Sequence, residues 1–161
     1  MPGPFVIVGG GPCGLAAALE RAARALRFRA LTFVHLLLDR PDFSDATWMY
    51  VASGGLRTSR IQEPRRRSPA MAPPGRTSLL LEVPCDVGDD VWAAGDDALR
   101  ARFTAELEAL GFRVDDVRGA FAARVAHGYP VYHLGYDADR RALLAEVGRS
   151  ARVVEAAALT A

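Results

Sequence analysis

Leu31 to Leu38 (LTFVHLLL) is a run of strand length that is apolar at both phases of the two-residue alternation, closed by Asp39-Arg40-Pro41. Such a run reads as a strand covered on both faces, so the rest of the chain must supply a sheet around it. Its most polar residue, His35, is expected to be a buried, hydrogen-bonded histidine, with a catalytic base as the alternative. At 161 residues the chain holds one ordinary domain, or one domain with a small appended element, and cannot hold two full domains.

A second feature lies at the N-terminus. Phe5 to Val8 is a short β-branched and aromatic run that breaks into Gly9-Gly10-Gly11-Pro12-Cys13-Gly14, and Leu15 to Leu26 is then dominated by Ala, Leu and Arg. The order strand, tight turn, helix sets Gly9, Gly11 and Gly14 in a G-x-G-x-x-G pattern. The first glycine permits the turn, the second lets backbone amides approach a pyrophosphate, and the third lets helix and strand pack closely. The unpaired N–H groups and dipole of the helix N-terminus face the anion. The competing reading is a glycine-rich turn that only joins two packed elements. A ribose-binding acid is expected roughly 20 residues beyond such a turn. The nearest is Asp39, which reads either as that ligand or as a strand-end residue in a turn. Cys13, inside the turn, reads as a thiol activated by the helix N-terminus or as a small packed residue.

Farther on, Trp48 to Val51, Arg60 to Glu63 and Ser78 to Val83 are expected strands, and Pro64 to Gly75, with Arg65, Arg66 and Arg67, is a long loop without regular structure. Val87 to Gly95 reads as a polar connection. Asp96 or Asp97 is expected to cap a helix reaching Leu110, since Leu99, Phe103, Leu107 and Leu110 fall at helical spacing, and Gly111 ends it. A strand is expected near the end of Val114 to Val125, and Tyr129 to Leu134 reads as a Pro-interrupted extended piece. Asp137 is expected to cap a last helix that stops at Gly148, with Ala151 to Ala161 as a tail. These signals predict an α/β (α+β) fold: a βα dinucleotide-binding remnant followed by a mixed, largely antiparallel sheet with helices packed on it.

Phe5 to Glu20 (FVIVGGGPCGLAAALE) resembles the N-terminal FAD-binding turn of the amine oxidase and protoporphyrinogen oxidase-like flavoproteins, a superfamily that includes UDP-galactopyranose mutase. Leu26 to Asp39, Arg60 to Pro64 (RIQEP), Ser68 to Ala72 (SPAMA), Thr77 to Glu82 (TSLLLE) and Tyr129 to Tyr136 (YPVYHLGY), in that order, resemble the substrate-domain half of bacterial protoporphyrinogen oxidase-like FAD-dependent oxidoreductases. The resemblance implies FAD held at Gly9, Gly10, Gly11, Pro12, Cys13 and Gly14, and a small-molecule substrate near Tyr129, Tyr132 and Tyr136, whose competing reading is aromatic packing at a sheet edge. It divides the chain into a partial FAD-binding βα unit (1–25), a substrate-domain-like sheet with helices (26–150) and a tail (151–161). In the family a long stretch separates turn from substrate-domain strand, whereas only a few residues do so here. No second glycine-containing flavin motif follows the Tyr-Pro-Val-Tyr segment. Either an internal deletion in the gene or a gene model that joined separated segments accounts for the shortening. A non-catalytic ligand- or partner-binding module derived from the substrate domain is the alternative to an oxidoreductase. A nicotinamide-binding fragment is disfavoured, because the later segments do not resemble that class.

A formal net charge of +1 gives no reason to expect nucleic-acid binding. No apolar stretch approaches the roughly 18 to 20 residues that cross a bilayer, and a cytoplasmic protein is expected. Cys13 and Cys85 have neither disulfide-framework nor zinc spacing, so no metal site is expected. Arg65 to Arg67 reads as an attractor for an anionic substrate or as a solvated loop. An incomplete sheet exposing apolar faces would favour a homo-oligomer.

Overall fold

Strand β1 (Phe28–Leu38) alternates sharply. Ala30, Thr32, Val34, Leu36 and Leu38 are all buried, whereas Phe33 and His35 are half-buried and Leu37 is exposed. The expectation of cover on both faces is therefore corrected for the sheet unit, where the described helices pack on one face of this strand and the other face is half-buried to exposed. The computed structural model describes Glu20, Ala23, Arg24 and residues 26–158. The proposed phosphate-binding turn, Gly9 to Gly14, with Cys13, lies outside the described residues.

The fold is α/β, with helices and a five-stranded antiparallel sheet. The other strands are β2 (Trp48–Tyr50), β3 (Arg60–Gln62), β4 (Thr77–Cys85) and β5 (Val117–Pro130), in the spatial order β2-β3-β4-β1-β5. β1 is thus a central strand, paired with β4 from Ala30↔Cys85 to Leu38↔Thr77. On its other side, Gly128 lies against Leu31, Phe121 against His35, and the Asp39 N–H donates to the Asp116 carbonyl, so β5 runs backwards along it. That arrangement rules out Leu31–Leu38 as a second parallel strand of a dinucleotide-binding unit among the described residues. Pro84 is tolerated inside β4 because β3 reaches only as far as Glu82, leaving Pro84 in a segment with a neighbour on one side.

The chain divides into two units, Arg29–Tyr129 and the combination of Met1–Phe28 with Pro130–Ala161. In the first, the sheet unit, the core lies between one sheet face and two helices, α1 (Asp90–Ala93) and α2 (Asp96–Ala109). Leu99, Phe103 and Leu107, spaced to form one stripe of α2, are each no more than 1% exposed and meet Val34, Leu36, Leu79 and Leu81 from the sheet. Burying a phenylalanine such as Phe103 contributes on the order of 2 to 3 kcal/mol. Helix α1 was not foreseen in the stretch read as a connection. It exists because Asp89 caps it, accepting from Val91 N (3.0 Å) and Trp92 N (2.8 Å). Its Val91 completes the core. The cap of α2 is Gly95, not Asp96 or Asp97, and those two acids occupy the first turn, where they complement the helix dipole. Gly111, at φ +87°, ends α2 as expected: its N–H donates to Glu108 O (2.8 Å) and that of Phe112 to Leu107 O (3.0 Å), a Schellman arrangement.

Two further expectations are corrected in this unit. Pro64 to Gly75 is not featureless, since each of Pro64–Arg66 and Pro69–Met71 forms a single 3₁₀ turn opened by its proline. The strand expected near the end of Val114 to Val125 continues as one strand, β5, through Tyr129 and Pro130, and Val131 to Leu134, the rest of the expected extended piece, lie beyond it without regular structure. In the second unit α3 (Tyr136–Ala158) starts one residue before Asp137 and passes through Gly148 without stopping. A glycine in a helix interior costs about 1 kcal/mol, too little to end a helix by itself. Asp137 sits in its first turn and binds Arg140 Nη2 (2.7 Å) and Arg141.

Candidate functional site

The sheet face opposite helices α1 and α2 is built by strict alternation. Registers pair Tyr50 with Arg60, Trp48 with Gln62, Arg60 and Phe33 with Glu82, and His35 with Leu80, so all of these side chains share one face. Trp48, Tyr50, Phe121, Val125 and Tyr129 are large and exposed there. In their midst Glu82 is only 3% exposed.

A carboxylate in that position must be paired, and two strands supply its partners while a third backs one of them. From β3 the Arg60 guanidinium forms an ion pair with Glu82 Oε2. From β5 the Tyr129 hydroxyl donates to Glu82 Oε1 at 2.7 Å. From β2 the Tyr50 ring lies under Arg60, 5.9 Å from ring centroid to guanidinium carbon. The Glu82 hydrogen bond, reinforced by burial, raises the Tyr129 phenol above its ordinary range, and the same carboxylate raises Arg60. Both therefore stay protonated at neutral pH. The Arg60 Nε is buried and has no hydrogen-bond partner among the described residues. Beside this cluster Arg67 donates to Gln62 Oε1 (3.0 Å) and lies 5.4 Å over the Trp48 ring. The face thus offers aromatic surface with a few fixed donors set into it, suited to orienting a ring-bearing small molecule.

Each residue singled out from sequence can now be placed. Tyr129 is in the cluster. Tyr132 belongs to the other unit, where its ring meets that of Tyr136 edge to face at 4.9 Å. His35 is half-buried and stacks flat on Phe121 (4.3 Å, 7°) rather than sitting in a buried hydrogen bond, and burial lowers its pKa. Asp39 follows the last residue of β1, where Arg118 Nε (3.0 Å) and Arg76 Nε (3.2 Å) bind it, and the turn whose ribose it was expected to bind lies outside the described residues. Of the three consecutive arginines, Arg65 donates to Arg76 O (2.6 Å), Arg66 pairs with Asp42 (3.4 Å) and Glu63 (3.5 Å), and only Arg67 borders the sheet face. Among the described residues no group of His, Cys, Asp and Glu could hold a metal ion, and no helix is long and apolar enough to cross a membrane.

Arg60 and Glu82 were missed as site residues, although the segments containing them carry the family resemblance. The available signal was an acid at the fifth position of SLLLEV, a charge inside an apolar strand that demands a cross-strand partner.

A five-stranded antiparallel sheet backed by helices defines a class of fold, and solved structures resemble it. Reduced UDP-galactopyranose mutase matches with a TM-score of 0.66 at 16% identity over 80% of this chain. A protein from Exiguobacterium sp. 255-15, assigned as a protoporphyrinogen oxidase, matches with a TM-score of 0.61 at 18% identity over 82% of this chain. This chain spans 28% and 31% of those two chains respectively. At such identities the likeness establishes the fold. No protein-family model matches the sequence, and no curated protein matches it.

Proposed function

We propose that the open sheet face is one wall of a small-molecule substrate site in a cytoplasmic FAD-dependent oxidoreductase of the protoporphyrinogen oxidase and amine oxidase-like kind. The reading is carried by the Arg60–Glu82–Tyr129 cluster, three polar groups fixed among aromatic side chains on the face opposite α1 and α2. The fold likeness and the order of the family-like segments support it. In this reading the turn Gly9, Gly10, Gly11, Pro12, Cys13 and Gly14 would hold the FAD diphosphate through the backbone N–H groups of its residues other than Pro12, and FAD held there would supply hydride-accepting chemistry. The chain's own part is binding and orientation. Arg60, which stays charged, donates a hydrogen bond to a polar substituent, Tyr129, whose one hydroxyl hydrogen is committed to Glu82, accepts one, and Tyr50, Phe121 and Val125 give the ring apolar surface. Tyr132 is assigned to substrate contact on the family resemblance.

A phosphate turn offers a few charge-assisted hydrogen bonds of about 1.5 to 3 kcal/mol each against an association cost of roughly 4 to 15 kcal/mol, so FAD held by that turn alone exchanges readily. The test is to load the purified protein with FAD and record its visible spectrum before and after gel filtration, together with its melting temperature across an FAD titration. Concentration-dependent stabilisation by FAD, absent in Gly11→Val, is the expected result. A colourless protein that FAD does not stabilise would leave the second reading, a non-catalytic ligand- or partner-binding module. That reading draws on the small share of each neighbour's chain that this one spans.

A further inference from the structure

The sheet unit has a second concave feature, at the end where β1 runs out and β4 begins. It is a groove of ≈ 440 Å³, walled by Leu37, Leu38, Met71 and Pro73 and rimmed by Asp39, Arg76 and Arg118. That volume falls in the lower part of the range for small-molecule sites. Two of the wall side chains stand open to solvent although nothing in the fold requires it: Leu37 is 42% exposed and Met71 58%.

The rim is unbalanced in charge. Asp39 takes both Nε (3.0 Å) and Nη2 of Arg118 on one oxygen, and only Nε of Arg76 (3.2 Å) on the other. Two guanidinium groups thus share one carboxylate, which they hold below its ordinary pKa, Arg118 foremost. The terminal nitrogens of Arg76 are left over in a geometry that a carboxylate or phosphate can meet with two parallel hydrogen bonds. An arriving anion would restore neutrality. The wall is also set in place beforehand. The Arg76 carbonyl is held by Arg65 Nη1 (2.6 Å), the Arg76 N–H donates to Pro73 O (3.1 Å), and the neighbouring Thr77 hydroxyl donates to buried Glu63 (2.7 Å). Apolar walls with a surplus cation at the rim define a ligand with an apolar body and an anionic head.

We propose that this groove binds a monomeric amphipathic anion, an aliphatic or alicyclic body carrying a carboxylate or phosphate that sits on Arg76 and Arg118. The proposal does not depend on flavin, so its test is run on the full chain without FAD. The probes are decanoate, decyl phosphate, decyltrimethylammonium and acetate, each below its micelle concentration, with the Met71 methyl and arginine Nε resonances as readout. Saturable binding of decanoate or decyl phosphate that shifts both sets of signals is expected, and whichever binds more tightly identifies the head group. Arg76→Gln/Arg118→Gln should weaken it on the order of tenfold or more. Met71→Gln, which leaves every rim contact in place, should weaken it as well and serves if the double variant does not fold. The proposal is overturned if neither anion saturates, if the cationic amphiphile binds equally, if acetate matches decanoate, or if both variants bind as the parent does.

Discussion

The Glu82 cluster can be tested without a substrate, because its hydrogen bond couples two residues that are 47 positions apart. Tyr129→Phe removes one charge-assisted hydrogen bond, worth about 1.5 to 3 kcal/mol when fully desolvated. Tyr129 is 46% exposed, and water can take its place on Glu82 Oε1, so the expected loss is nearer 1 kcal/mol. Glu82→Gln keeps the volume but strips Arg60 of its counter-ion. The Arg60 side chain is 25% exposed, so the cost falls toward the low end of the 3 to 5 kcal/mol seen for broken buried pairs, roughly 2 to 3 kcal/mol. In the double variant the tyrosine has already lost its charged acceptor, and a coupling energy of about 1 kcal/mol should appear in a double-mutant cycle.

Urea denaturation of the four proteins measures this cycle, and an ultraviolet titration of the tyrosines supplies an independent reading. Because the folded-state pKa of Tyr129 is raised, the stability it contributes is fully present below the ordinary tyrosine pKa of about 10 and is lost as pH rises through the folded value. The parent should therefore lose stability on the alkaline side in a way that Tyr129→Phe does not, and Glu82→Gln should bring the raised phenol back toward the ordinary range. A coupling energy indistinguishable from zero, or a Tyr129 that titrates with free tyrosine in the parent, would refute the reasoning.

Other perturbations have equally definite outcomes. A Cβ at Gly128 would come within 2.5 Å of Leu31 Cγ and 3.1 Å of the Arg29 carbonyl, so Gly128→Ala should destabilise the protein by about 1 to 3 kcal/mol in urea melts. Glu63, 2% exposed, accepts from Phe43 N (2.9 Å), Ser44 N (3.1 Å) and Thr77 Oγ1 (2.7 Å), and Glu63→Ala should cost about 3 kcal/mol or more, with amide exchange speeding up first at Phe43 and Ser44. Asp116, paired with Arg40, has a lowered pKa, so its contribution is present above the ordinary aspartate value of about 4 and lost as pH falls through the folded one. Asp116→Asn should accordingly flatten the acid-unfolding curve. Burial lowers the pKa of His35, which makes stability fall as pH drops below the ordinary histidine value of about 6.5, and His35→Phe should reduce the melting-temperature difference between neutral and mildly acidic buffer. Trp48 and Tyr50, 51% and 73% exposed on the short edge strand β2, should drive self-association visible by light scattering, which Trp48→Lys should reduce.

What sequence reasoning could and could not reach follows from how far apart the determinants lie. The strands around Leu36, Ile61 and Leu81 and the helix through Phe103 are written in local periodicity, and the structure places them where that periodicity says. The exposed half of Leu31–Leu38 is not local information. Leu37 looks as apolar as Leu36, and only the side of the sheet on which α1 and α2 pack decides which of the two is buried. Helix α1 depends on a single cap, Asp89, in a stretch whose acids read equally well as a solvated connection. Gly148 shows the opposite error, because a weak local penalty was read as a stop. The Glu82 site was out of reach for a stricter reason: Arg60, Glu82 and Tyr129 become neighbours only through strand register, and a one-residue slip in β4 would turn Glu82 into the core.

That last point bears on why the cluster is better understood as a binding feature than as a device for stability. A buried ion pair typically returns no more than a well-packed hydrophobic pair of the same volume. Leucine or methionine at Arg60 and Glu82 would serve a sheet face meant only to be covered, and such a face would bury its tryptophan and tyrosines too. Here Tyr50 is 73% exposed and Tyr129 46%, beside a carboxylate that is 3% exposed and an arginine Nε that has no hydrogen-bond partner among the described residues. The face keeps its polar groups fixed and its aromatic groups accessible, the combination a ligand requires and a closed core does not. If so, Arg60→Met/Glu82→Leu should leave thermal stability unchanged or raised while abolishing whatever ligand the face binds. A large loss of stability in that double variant would assign the cluster to the fold instead.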